Sequence, residues 1–409
     1  MRNLGRFGVV AAVFCALAAW QQGKRVKAAG GPAQAEGGPY RVLAPIESGN
    51  LLLFPVVRAD GKSQAETPFI TLDEGLKSGE VEVTEAGRAQ GLVRPRDGGG
   101  PSYSYRGDEV NTLVLVNHAK RPLLLLAGEV VTGGKQDRIV ARDRIVPADA
   151  DPIDLSVFCI EPGRWTGSSD TFGASAGSAA KSFMVQPEVR ERAMVDQDQQ
   201  QVWNSVHGAI AQMEAAAAPP ASGFPAEGFG RGAGAPAGTT SYAKVMASPA
   251  VSEKVDQAAA QAMSAREQAL SKLREEHAVG VVVAVRGEIV WADVFANTGL
   301  LARYWTKLIR SYAAESLTDV GDRATPTVAD AQHFLAAPTT GTESSTGEVG
   351  VYRYRELKSD GAETFVLESL LPGTDYDVHE SKMKLRGEEQ HAAKPHPEFL
   401  PRFEPPVYR

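Results

Sequence analysis

The chain has 409 residues, 43% of them hydrophobic and 23% charged. That is ordinary globular usage, which excludes a wholly disordered chain and allows a large core. A formal charge of −7 with no basic stripe excludes general nucleic-acid binding, because few cations stand ready to displace counterions. Of the two cysteines, Cys15 lies in the N-terminal apolar segment, so a processed chain keeps only Cys159: no internal disulfide and no cysteine-based zinc site.

Arg2 and Arg6 precede the apolar run Phe7–Trp20, and polar Gln21-Gln22-Gly23-Lys24-Arg25 follow. This is the layout of an export signal, and the run is short for a membrane span. The expected location is periplasmic or cell-surface; the alternative is an uncleaved membrane anchor through residues 7–20. Residues 1–39 thus read as signal or anchor plus a Gly/Ala/Pro-rich tether.

Apolar runs predict strands at Tyr40–Pro45, Leu51–Val57, Glu80–Thr84, Thr112–Val116, Leu123–Ala127, Arg138–Val146 and Leu155–Ile160, with one short helix at Thr71–Lys77. Pro187–Ala215 has Val195, Val202, Val206, Ile210 and Met213 at roughly helical spacing, and Ser252–Glu276 predicts another helix. Between them, residues 216–240 are a low-complexity Ala/Gly/Pro insertion that cannot form a core. Val279–Val285 and Glu288–Trp291 flank Arg286-Gly287, a hairpin signal. Thr298–Leu317 places Leu301, Tyr304, Trp305, Leu308, Ile309 and Tyr312 on one helical face. A helix at Val328–Ala336 and strands at Val349–Arg355 and Thr364–Leu370 complete the pattern, and residues 386–409 read as a disordered tail. The expected class is α+β: a β-rich N-terminal half, helices packed mainly from the C-terminal half, and one domain over residues 40–385.

Polar residues gather where apolar runs stop. Glu129 follows Gly128; Gln136 and Arg138 follow a Gly-Gly turn; Cys159 and Glu161 lead into Arg164 and Trp165. A carboxylate at Glu129 can hold a hydroxyl, a cation or a proton, or it can pair with Arg138 or Arg164. Gln136 and Arg138 suit phosphate or carboxylate, and Arg164 beside Trp165 suits a base or sugar ring. Gln136 and Arg164 are expected to be the more exposed members. Cys159 sits in an apolar alternation, where a thiol is usually inert; as a nucleophile it would need a cationic neighbour. Asp293 and His379 are further candidates. Neither GxxxxGK[ST] nor GxGxxG is present, no histidines stand at metal spacing, and the cofactor stays unassigned.

Four segments in order, LAGEVVTGGKQDR, VFCIEPGRW, VGVVVAVRGEIVWADVF and YWTKLIRSYAAESL, resemble the domain family associated with ADP-ribosylglycohydrolase and rhodanese-phosphatase proteins. The resemblance runs from Tyr40 to Met383 and implies motif positions at Gly128, Glu129, Gln136, Arg138, Cys159, Glu161, Arg164, Trp165 and Asp293, with Lys307, Arg310, Ser311 and His379 besides. It records association, not a reaction. Two functions follow as expectations. One is an exported domain that binds or hydrolyses a nucleotide-like or ADP-ribose-like ligand. The other is a non-catalytic scaffold or interaction module whose polar cluster is structural.

Overall fold

In the computed structural model, residues 38–61, 67–85, 112–161, 172–173, 183–218, 239–264, 275–317, 325–337, 341–359 and 361–385 are described. They belong to one compact unit that begins at Gly37. Residues 1–37, which hold the expected export signal, Arg164, Trp165, most of residues 216–240 and residues 386–409 lie outside the described residues.

The largest sheet has nine strands. It takes β1 (Tyr40–Val42), β2 (Ile46–Ser48) and β3 (Leu51–Arg58) from the start of the fold, and β13 (Ala278–Val285), β14 (Glu288–Phe295), β15 (Thr342–Glu348), β16 (Tyr352–Ser359), β17 (Ala362–Ser369) and β18 (Tyr376–Lys384) from its end. The order is β1-β3-β13-β14-β18-β17-β16-β15, all antiparallel, with β2 also on β3. The middle of this sheet is buried on both faces. On β13, Val281, Val283 and Val285 join the main core, while Val282 and Ala284 join a second core on the other side. Two-sided burial explains a continuous apolar run where one-sided burial would give alternation. Pro55 sits inside β3 because β1 and β2 leave a gap there: β1 pairs through Val56 and β2 through Leu53. A residue with no N–H fits where a ladder is already interrupted.

Two smaller sheets carry the rest of the N-terminal half. One has the order β12-β8-β9-β11-β6-β5, the other β10-β7-β4. Their strands are β4 (Ile70–Thr71), β5 (Val81–Glu85), β6 (Thr112–Asn117), β7 (Leu123–Leu125), β8 (Val130–Gly133), β9 (Arg138–Val140), β10 (Arg144–Val146), β11 (Ala150–Cys159) and β12 (Phe172–Gly173). Helix α1 (Leu72–Ser78) has a Thr71/Glu74 capping box and stops at left-handed Gly79.

The remaining helices are α2 (Pro187–Glu191), α3 (Gln199–Ala217), α4 (Tyr242–Ala247), α5 (Pro249–Ala258), α6 (Ala260–Ser264), α7 (Thr298–Ser316) and α8 (Val328–Ala336). The apolar face of α7 buries Leu301, Tyr304, Trp305, Leu308 and Tyr312 in the main core, packed on β13. On the far side of the sheet, Ala331 and Leu335 of α8 join the second core with Val282 and Ala292. The architecture is α+β, as the patterning implied.

Two expectations change in detail. Arg138–Val146 is two strands in different sheets, because Asp143 between them turns into the interior and bonds there. The predicted Pro187–Ala215 helix is broken: α2 passes into one π turn, Arg192–Asp196, Gln197 adopts a left-handed φ of 51°, and Asp198 caps a fresh helix. Leu123–Val131 and Val282–Val290 share an apolar–Gly-Glu–apolar pattern, but only the second is a hairpin. β7 pairs with β10 and β4, and β8 with β9 and β12.

The Gly128 turn gives a direct test. Its φ is 85°, and a Cβ there would lie 2.5 Å from the Arg190 Cγ. Gly49 also has positive φ, 59°, with nothing within 4 Å. Gly49→Ala should cost roughly 1 kcal/mol of strain, and Gly128→Ala should cost several-fold more. Urea unfolding of both variants beside wild type checks this; equal losses would mean that Arg190 does not need the bare glycine.

Candidate functional site

The turn after β7 organises the centre of the molecule. Each of its amides has a partner. The Leu126 N–H donates to Glu129 Oε2 at 2.7 Å, and the Ala127 N–H to Asp143 Oδ1 at 2.7 Å. The Gly128 N–H reaches the Val140 carbonyl, and the Glu129 N–H the Leu126 carbonyl. Glu129, read from sequence as a ligand group or a partner for Arg138 or Arg164, takes Lys307 of α7 as its cation, whose Nζ donates to its Oε1 at 2.6 Å; Arg164 lies outside the described residues. Lys307 also meets Asp73 of α1 at 2.7 Å. Burial works against the charge on Lys307, but Glu129 and Asp73 outweigh it and raise its pKa; burial raises that of Glu129. Helical spacing separated Lys307 from the apolar face of α7, yet the side chain is buried, because these two carboxylates stand where solvent would otherwise be.

Asp143 opens a second chain of charges. Its Oδ2 is 2.6 Å from His379 Nδ1 on β18, and His379 Nε2 is 3.2 Å from Asp293 Oδ1 on β14. The register that pairs Phe295 with His379 puts these neighbours in contact. Arg190 of α2 grips Asp293 with both terminal nitrogens, at 3.0 and 3.2 Å, and lies 4.4 Å above the Trp291 ring. The Tyr312 hydroxyl of α7 donates to the same carboxylate. Arg190, Asp293, His379 and Asp143 are all fully buried. Burial opposes charge on Asp293, but Arg190, with His379, outweighs it and holds the carboxyl well below the usual range. For His379, burial again opposes charge, yet Asp143 and then Asp293 raise its pKa to about 9. The imidazole is therefore protonated at neutral pH, and two cations balance two carboxylates.

A second group sits on the β8–β9 loop and the end of β11. Gln136 Nε2 donates to the Glu161 carbonyl at 3.1 Å, and the Asp137 N–H to Glu161 Oε2 at 3.2 Å. Ser241, at the start of α4, donates to Asp137 Oδ2 at 3.1 Å. Lys244 of α4 reaches Glu161 at 3.7 Å and is the solvent-exposed member. Gln136, expected to be exposed, is wholly buried, because its amide is drawn in to the Glu161 backbone. Arg138 is also buried and donates to the Asp137 carbonyl. Burial raises the pKa of Cys159 despite Arg138 nearby, and its sulfur accepts from the Glu161 N–H at 3.4 Å. That is the setting of an inert core thiol rather than a nucleophile.

The sequence candidates therefore divide. Glu129, Asp293 and His379 join the central chains; Gln136, Arg138, Cys159 and Glu161 form the loop group; Arg164 and Trp165 lie outside the described residues. Of the other motif positions, Ser311 donates to the Val185 carbonyl, and Arg310 binds Asp256 of α5. Sequence reasoning missed Arg190, Asp143 and Tyr312. Two signals were present: Arg190 shares a short apolar stretch with Val189, Ala193 and Met194, and Arg142-Asp143-Arg144 interrupts two Ile-Val or Val-Ala runs. A charge in an apolar stripe must find a buried partner.

The model of the ARG and Rhodanese-Phosphatase-superfamily-associated Protein domain matches residues 39–383. The chain belongs to this family. The match spans both the central chains and the loop group, and it agrees with the resemblance read from the four motifs. No curated protein and no solved structure matches the chain.

His379 sets a pH dependence with a definite sign. Its pKa is about 9 folded against an ordinary 6.5, so its stabilisation is complete below pH 6.5 and is lost as pH rises through 9. The change is on the order of 3 kcal/mol. Melting temperature should fall over that window in wild type, and the fall should be largely absent in His379→Gln. Parallel slopes for the two proteins would place the titration elsewhere.

Proposed function

We propose that this domain is a non-catalytic interaction module whose buried charges brace the fold. The observation that carries this reading is His379. Both ring nitrogens are engaged by carboxylates, and the ring has no solvent exposure. A general acid or base must reach the proton it moves, and a metal ligand must offer a lone pair; this imidazole does neither. Asp293 is likewise committed to Arg190, Tyr312 and His379. Glu129 is committed to Lys307 and to its own turn.

A second reading is a nucleotide-like or ADP-ribose-like ligand held at the loop group of Gln136, Asp137, Glu161, Ser241 and Lys244. One observation favours it: the Gln136 Oε1 is buried and has no partner among the described residues. A thermal-shift panel with ADP-ribose, NAD and sugar phosphates separates the two, because a ligand that binds the native state must raise its stability. The module reading expects no shift from any of them and no turnover. A shift that disappears in Gln136→Leu would replace it with the second reading.

We propose further that the chain is exported to the periplasm or cell surface, on the strength of Arg2, Arg6 and the run Phe7–Trp20. Residues 1–40 fused to a reporter active only outside the cytoplasm should give signal. A fusion silent outside and soluble inside would sink the proposal; activity retained in the membrane fraction would mean an uncleaved anchor.

A further inference from the structure

The two ends of the nine-stranded sheet are finished differently. At one end the edge is closed. Gln332 of α8 turns its amide onto β1: the Val42 N–H donates to its Oε1 at 2.8 Å, and its Nε2 donates to the Tyr40 carbonyl at 3.1 Å. A side-chain amide thus stands in for a missing neighbour strand. β2 is tied to the helices by Ser48, which donates to the Ala258 carbonyl at 2.6 Å and accepts from the Gln261 N–H. At the other end β15 is the last strand, and its outer edge meets no strand among the described residues. Residues 342–346 of it are exposed. Natural sheets blunt a free edge with lysine, proline, a bulge or a cover. β15, TESSTGE, has neither lysine nor proline, and its ladder with β16 runs without a register break over all seven residues.

The side chains along this edge fit a second copy of the same strand. An isologous contact requires antiparallel pairing about a two-fold axis, and the register that overlaps all seven residues centres on Ser345. Thr342 then faces Glu348, Glu343 faces Gly347, Ser344 faces Thr346, and Ser345 faces itself. No like charges are opposed, and small hydroxyls meet in the middle, which suits cross-strand pairs. Glu343 of the second copy comes against Gly347, which has no side chain, and the next residue in that row is Arg353 on β16. Strands lie about 4.8 Å apart, so two spacings separate that carboxylate strand position from Arg353, within the joint reach of two long side chains across a bare glycine. Arg353 is 51% exposed even with Glu368 bonded to it. The two-fold repeats this charge pairing on both sides. It also limits the assembly: pairing consumes the open edge, and the end capped by Gln332 does not offer another.

We propose that β15 is the docking edge for a second copy of this chain, joining two nine-stranded sheets antiparallel through Ser345. The edge uses none of the loop-group residues, so the inference stands whether or not that group binds a ligand. Paired edges of seven residues bury less surface than a standard interface, so the dimer is expected to dissociate on dilution.

Sedimentation velocity of the full chain over a dilution series reads the equilibrium. Wild type should pass from dimer to monomer as it is diluted. Ser345→Lys and Ser345→Glu each set two like charges face to face at the axis, and each should stay monomeric at concentrations where wild type is mostly dimeric. An equimolar mixture of the two sets Lys against Glu and should dimerise again, a recovery that requires both variants to be folded. Ser345 is exposed, so neither change should move the melting temperature measurably. Wild type that is monomeric at every concentration overturns the proposal. Variants that dimerise as wild type does overturn it too, because the contact then lies elsewhere, and so does a mixture that stays monomeric.

Discussion

The fold depends on the buried chain Arg190–Asp293–His379–Asp143. Its members come from α2, β14, β18 and the β9–β10 connection, four segments far apart in sequence. Taking four charged groups out of water is costly, and removing one partner typically costs about 3–5 kcal/mol by stranding another. The arrangement is tolerable because every carboxylate meets a cation at hydrogen-bond distance and the charges sum to zero. Hydrophobic packing alone would accept several placements of α2 against the sheet. The two-pronged grip of Arg190 on Asp293 accepts one.

Local backbone features follow from that chain. Asp143 must face the interior, so the strand it interrupts splits between two sheets. Its other oxygen holds the Ala127 N–H, which fixes the turn over which Arg190 crosses. That crossing requires a residue without a Cβ, and Gly128 supplies it along with the positive φ the turn needs. Glu129 then closes the turn and passes the linkage through Lys307 to Asp73, so α1 and α7 are tied to the same point. Glu129, Asp293 and His379, all candidates from the sequence, each bond to a residue far away in the chain.

Elements with strong local periodicity were legible. The α7 face, the β13–β14 hairpin and the apolar run of β3 read directly from spacing, since their burial depends on residues close in sequence. Elements whose form depends on distant partners were not. β15 is polar and largely exposed and is a strand because β16 pairs along its whole length. The end of the predicted Pro187–Ala215 helix that broke is the end where Arg190 must reach Asp293.

The sequence by itself determined the α+β class and the family, because apolar period and ordered motifs are local properties. It could not decide the partners. Glu129 had arginines within reach along the chain and took a lysine from a helix 178 residues away. His379 had carboxylates in its own segment, Asp377 and Glu380, yet took two others, from residues 236 and 86 positions distant. Coulomb pairing acts over a few ångströms in space and is blind to separation along the chain. Only the tertiary structure, by bringing β14, β18 and α2 to the Gly128 turn, settled which charge met which.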